Sequence, residues 1–131
     1  MEKIIKQKWA VVISIIVILI LTALEFPAPI GFETRPQGDV SLFWLLFFLI
    51  ILVTEIATIP LIFKRPILGV KLGLVAGVMN IFQVIADQMH LMQPEVATLS
   101  YSLLEYAVAV ISLVLIYFAW RIYVGVLKSG M

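Results

Sequence analysis

Polar side chains interrupt the third and fourth apolar stretches of this chain, where ionisable groups are costly in a bilayer. Since successive helical residues turn by about 100°, the polar residues of the third stretch fall in one sector of a helical wheel. An antiparallel fourth stretch brings further polar residues to the same depth. We predict a single ligand-binding site lined by Asn80, Gln83, Asp87, His90, Tyr101, Ser102 and Glu105.

The chemistry open to this site is acid–base chemistry. His90 follows Asp87 by one helical turn, so the carboxylate could orient the imidazole for proton exchange near neutral pH. Nothing in the pattern identifies a substrate, so we assign no catalytic residue and lean away from an enzyme. With one histidine and no cysteine in the chain, we predict no metal site and no cofactor.

The sequence does not identify what neutralises the acidic residues at this depth. Arg35 is the only Lys or Arg predicted near it, and it belongs to a loop. The carboxyls could be neutralised by protonation, by a protonated His90, by a metal or cationic ligand, or by a partner subunit. The same residues could therefore form a hydrated hydrogen-bond network, a ligand cavity or a catalytic site.

Glu55 is the deepest charge, just past the middle of the second apolar stretch. Lys71 lies about one turn from its level on the following stretch, so we predict a buried ion pair between the two. The alternatives are a contact with another subunit and a proton or ligand site assisted by Thr54, Thr58 and a kink at Pro60.

These residues must be positioned by membrane helices. Of 131 residues, 63% are hydrophobic and 13% charged, against roughly 45–50% apolar and about 25% charged in soluble domains. We predict an all-α, polytopic integral membrane protein, a bundle of four transmembrane helices in a single domain, 1–131. The helices are expected at about 9–24, 41–63, 67–89 and 98–123, with an outer loop at 25–40.

The distribution of basic residues predicts the orientation. Eight of the nine Lys and Arg flank the spans on one side, and only Arg35 falls on the other. Under the positive-inside rule both termini are cytoplasmic, in a multi-pass protein of the cell membrane. No basic cluster with interleaved aromatics occurs, so nucleic acid is not an expected partner.

The topology resembles that of small four-helix membrane proteins of the DoxX-like and emopamil-binding types. The likeness covers the outer loop PAPIGFETRPQGD, the KRPILGVKLGL start of the third helix, and Asp87 and His90 near that helix's outer end. Those families include lipid-ligand binders, isomerases and accessory subunits of redox complexes, so the resemblance implies a fold and leaves the function open.

The leading hypothesis is a membrane protein whose acidic cavity, in the outer half of the bundle, binds a lipophilic or cationic small molecule. A second is a structural or accessory subunit of a larger membrane complex. A third is a lipid-modifying membrane enzyme or a proton- or cation-coupled transporter. The expected partners are the lipid bilayer, the lipophilic molecule, and either further copies of the chain or a larger membrane complex.

Overall fold

Four helices form the protein in the computed structural model, which describes residues 2–25, 42–89 and 99–129. They are α1 (Glu2–Leu24), α2 (Leu42–Lys64), α3 (Pro66–Gln88) and α4 (Leu99–Ser129). Each is long and apolar enough to cross a membrane, which confirms the prediction of an all-α chain with four membrane-length helices. The predicted outer loop beyond Glu25, and His90, lie outside the described residues.

The first and last helices extend beyond their predicted apolar spans. The helix α1 begins at Glu2 rather than near residue 9, and α4 continues to Ser129 rather than ending near residue 123. The added turns carry Lys3, Lys6 and Lys128. Hydropathy marks where a helix leaves the hydrocarbon, whereas backbone hydrogen bonding continues past that boundary.

Neighbouring helices run antiparallel in a closed ring. The helix α3 packs against α2 and α4, and α4 also packs against α1, while α1 and α2 share the smallest contact of these neighbours. The ring of Trp9, early in α1, lies 5.2 Å from that of Phe63, late in α2. Ile4 likewise faces Gly125 near the end of α4.

The interior and the exterior of the ring are both apolar. Side chains with no exposed surface include Ile15 and Ile18 of α1, Ile62 of α2, and Leu115 and Ile122 of α4. Large exposed hydrophobic residues lie on all four helices. Helices that are apolar all round are typical of membrane spans, whose outer faces contact lipid.

A turn at Arg65 connects α2 to α3. The Arg65 N–H donates to the Leu61 carbonyl at 2.7 Å, and Pro66 occupies the first turn of α3, where its missing N–H is not needed. The helix α2 continues through Pro60. The short turn holds the two helices side by side and antiparallel.

Gly69 and Gly77 allow α3 to approach its two neighbours closely. A Cβ on Gly69 would lie 2.6 Å from the Ile62 Cα of α2, and one on Gly77 would lie 2.6 Å from Ile116 Cγ1 of α4. A Cβ on Gly73 would meet its nearest atom, Thr58 Cγ2, at an ordinary 3.5 Å. Gly69 thus faces α2 backbone, while Gly77 faces a side chain of α4.

Gly69→Ala should destabilise the protein by about 1–3 kcal/mol, the usual cost of overpacking, because its Cβ meets backbone that cannot move independently. Gly73→Ala is the matched control, since the same change there makes ordinary contacts and gains helix propensity of about 1 kcal/mol. Thermal unfolding in one detergent compares the two variants. Equal melting temperatures would contradict the close backbone contact.

Candidate functional site

Two buried carboxyl groups meet where the α3–α4 hairpin nears its connecting segment. Asp87, in the last turn of α3, is 3% exposed, and Glu105, early in α4, is 4% exposed. Their carboxyls lie within hydrogen-bonding range of each other. Since a carboxyl donates a hydrogen bond only when protonated, such a contact needs a proton on one of the two.

Gln88 of α3 connects this carboxyl pair to further polar residues of α4. Its Nε2 donates to Glu105 Oε1 at 2.5 Å and to Ser102 Oγ at 3.3 Å, and its Oε1 accepts from the Tyr106 hydroxyl at 3.3 Å. We call Asp87, Gln88, Ser102, Glu105 and Tyr106 the acidic cluster. Tyr106 is exposed, so the hydrogen bonds run from the interior to the outer face of the hairpin.

Glu25 adds a third acid at this end of the bundle. It follows the last turn of α1 and acts electrostatically on Glu105. The basic residues that the structure describes lie elsewhere, at the ends of α1 and α4 and around the α2–α3 turn, which the antiparallel packing brings to the opposite end of the bundle: Lys3, Lys6, Lys8, Lys64, Arg65, Lys71, Arg121 and Lys128. Apart from Glu2, which lies beside Lys3 at the start of α1, the described acidic residues lie deeper in the bundle than the basic residues or at the opposite end from them.

The structure describes six of the seven predicted site residues and brings three of them together. Asp87, Ser102 and Glu105 come together in the acidic cluster. Tyr101 is half-buried beside Ser102, and Gln83 is half-buried one turn before Asp87. His90 lies outside the described residues, so its predicted pairing with Asp87 stays a prediction.

Asn80, the seventh predicted residue, belongs to a separate contact deeper in the bundle. Its Nδ2 donates to Glu55 Oε1 at 2.6 Å, and both side chains are buried. Asn80 precedes Asp87 by two helical turns, about 10 Å along the axis. The predicted single site is thus divided between two levels of α3.

Glu55 pairs with Asn80 and not with Lys71 as predicted. Lys71 is exposed, and Glu55 Oε2 has no hydrogen-bond partner among the described residues. On a helical wheel Lys71 and Asn80 fall on opposite sides of α3, and Asn80 shares the side of Gly73, which faces Thr58 of α2. Glu55 and Lys71 lie at similar depth, but the lysine side chain points away from Glu55.

Gln88 and Tyr106 are the members of the acidic cluster that the sequence prediction omitted. Gln88 falls outside the polar sector of the α3 wheel, but it lies level with Ser102 in the hairpin. A long amide at the end of a helix can reach around to the neighbouring helix. The depth of Gln88 and Tyr106 in the hairpin and the length of their side chains are the sequence features that could have identified them.

Aromatic side chains pack on a different face of α3. The Trp44 ring of α2 stacks on Phe82 of α3 with centroids 6.3 Å apart, and Phe47 lies 5.8 Å from the same ring. This contact buries part of the aromatic first half of α2 and contributes to α2–α3 packing.

Among the described residues, no group of three or more His, Cys, Asp and Glu is placed to hold a metal ion. Comparisons with models of protein families, with curated proteins and with solved structures each found no match. The likeness to DoxX-like and emopamil-binding proteins accordingly rests on topology alone, and the function must be argued from the site itself.

A double-mutant cycle tests the Glu55–Asn80 contact. Glu55→Gln and Asn80→Leu should be coupled by about 0.5–3 kcal/mol in unfolding free energy, the range for residues in direct contact. Glu55→Gln with Lys71→Met is the matched control and should be additive, because Lys71 is exposed on the opposite side of α3. Coupling to Lys71 but not to Asn80 would contradict the observed pairing.

Proposed function

We propose that this chain is a multi-pass membrane protein that binds a lipophilic molecule carrying a positively charged group, with that group at the acidic cluster. The observation that supports this most is the contact between two carboxyls, each more than nine-tenths buried. A buried carboxylate is costly unless it is paired with a positive charge or neutralised by a proton. Placing two buried carboxyls in contact therefore favours the binding of a cation.

The chemistry of binding follows from the hydrogen bonds of the cluster. A protonated amine offers several N–H donors and a positive charge, so it would donate to both carboxyls and take the place of the proton that their contact requires. Gln88 already donates to Glu105, and it would hold that carboxylate in place for the ligand. Binding of the cation would release a proton.

The apolar part of such a ligand would lie against the outer face of α4. Leu103, Tyr106 and Val110 are exposed and spaced three and four residues apart, so they form one stripe along the helix. The Tyr106 hydroxyl donates to Gln88, so this stripe leads to the acidic cluster. An alkyl chain on the stripe would remain in the hydrocarbon while its charged end reached the carboxyls.

The location that we propose is the cell membrane, with both termini in the cytoplasm. The basic residues at one end of the bundle support this orientation through the positive-inside rule. The acidic cluster would then face the outer leaflet, and ligands would arrive from the outer leaflet or the external medium.

Decylamine should raise the melting temperature of the wild-type protein in nanodiscs, because a ligand that binds the folded state stabilises it. Asp87→Asn and Glu105→Gln should abolish this stabilisation, while Glu55→Gln, an acid-to-amide change two turns deeper, should retain it. Decanol, which lacks the charge, and propylamine, which lacks the chain, should stabilise the protein less than decylamine. Equal stabilisation of the wild type, Asp87→Asn and Glu105→Gln would rule out binding at the cluster.

The absence of native cysteine allows a clean test of orientation. A membrane-impermeant maleimide should label Gln37→Cys in intact cells, because residue 37 belongs to the predicted outer loop. Lys64→Cys, at the α2–α3 turn, should be labelled only after the membrane is permeabilised. The reverse labelling pattern would contradict the proposed orientation.

A second candidate function is that of an accessory subunit in a larger membrane complex. The observation that favours it is the small contact between α1 and α2. Ile13 and Ile20 are exposed and share a helical stripe with Trp9, which contacts Phe63 of α2. A helix of another subunit packed along this side would bury those side chains. Purification from the native membrane in mild detergent would then retain larger partners, and Ile13→Ala together with Ile20→Ala should weaken that retention.

A further inference from the structure

We infer that a second site, between α2, α3 and α4 and distinct from the acidic cluster, binds a small monovalent cation of the sodium type through oxygen ligands. Its residues are Glu55, Asn80 and Ser112, which we call the internal oxygen site. The inference does not depend on the proposed ligand of the acidic cluster, because the two sites are about two helical turns apart along α3.

Glu55 supplies the negative charge. It is 1% exposed, and only one of its two carboxyl oxygens has a partner, since Oε1 accepts from Asn80 and Oε2 has none among the described residues. A single amide donor does not offset the cost of an ionised carboxylate in this position. A bound cation of one positive charge would balance it.

Ser112 supplies a second oxygen, and it differs from four other hydroxyls of the bundle. Those four donate to a carbonyl of the preceding turn of their own helix at 2.6–2.8 Å: Ser14, Thr22, Thr54 and Thr58. The Ser112 side chain is fully buried, yet its Oγ makes no hydrogen bond with the described residues. Buried polar atoms are normally satisfied, so this hydroxyl is available to a ligand.

Glu55 and Ser112 approach the same turn of α3 from different helices. Glu55 of α2 contacts Asn80, and the Ser112 carbonyl of α4 lies 3.3 Å from where a Gly77 Cβ would stand. Asn80 and Gly77 are one turn apart, so Glu55 and Ser112 lie at similar depth in the bundle. Because residue 77 is glycine, α4 can approach α3 closely, and Ser112 lies near the turn of α3 that carries Asn80.

The oxygen atoms suit a hard cation. Carboxylate and amide oxygens are the ligands that such ions take in proteins, and rotation of the Asn80 amide would present its oxygen instead of its nitrogen. Thr58 lies one turn from Glu55 on α2 and keeps lone pairs after donating to Thr54, so its hydroxyl could also accept an ion. One carboxylate among neutral oxygens favours a monovalent over a divalent ion.

Thermal unfolding of the full chain in nanodiscs tests the site, with sodium chloride compared with choline chloride at equal concentration. Sodium should raise the wild-type melting temperature by several degrees, because the ion binds only the folded state. Glu55→Gln should remove the sodium dependence, and Ser112→Ala should reduce it. Ser14→Ala is the matched control and should retain it, since that buried hydroxyl bonds to its own helix.

Two results would overturn the inference: a wild-type melting temperature that does not respond to sodium, or a Glu55→Gln variant that responds as the wild type does. Asp87→Asn should keep its sodium response, so failure of the acidic cluster and failure of this site can be told apart. Equilibrium binding of radioactive sodium to the wild type needs no variant. It should be displaced by unlabelled sodium and not by choline, and absence of saturable binding would also overturn the inference.

Discussion

The close backbone contact between α2 and α3 at Gly69 is the constraint on which the polar architecture depends. With Gly69 against Ile62, the register of the two antiparallel helices is set, and Glu55 meets Asn80 further along the same seam. Gly77 plays the corresponding part toward Ile116 of α4. Beyond it, the same alignment brings Glu105 to Asp87 and Gln88. Two small residues on one helix therefore determine which polar groups can meet.

Polar groups placed in this way are energetically demanding, because the side chains around them in the bundle interior are mostly apolar and offer few hydrogen bonds. The chain satisfies the Glu55 charge only in part, with one amide donor, and places Asp87 and Glu105 against each other. Neither arrangement is one that stability alone would select. Buried acids inside a membrane bundle are characteristic of sites that exchange a proton or bind a cation, and this supports the cation sites proposed at the acidic cluster and at Glu55.

Sequence patterns predicted where the helices lie and which of their faces are polar, but they did not identify the helix that each polar face contacts. Hydropathy identified four spans, the helical wheel placed Asp87 with the polar residues of α3, and the hairpin predicted that Glu105 and Ser102 would lie near them. The predicted ion pair of Glu55 with Lys71 rests on depth alone, and Lys71 lies on the far side of α3. For Asn80 the helical wheel gives the correct face but not the helix that this face meets, which is α2 at Glu55.

By itself, the sequence determined the all-helical class, the four apolar spans, the gathering of basic residues at one end and the face of each helix that carries polar groups. These properties are local, because they depend on residue type and on a rotation of about 100° per residue. Only the tertiary structure decided the partners: Asn80 for Glu55, and Gln88 for Glu105, Ser102 and Tyr106. Partner choice depends on helix register and separation, which follow from side-chain volume at contacts such as Gly69 and Gly77, and those volumes act only once the helices are packed together.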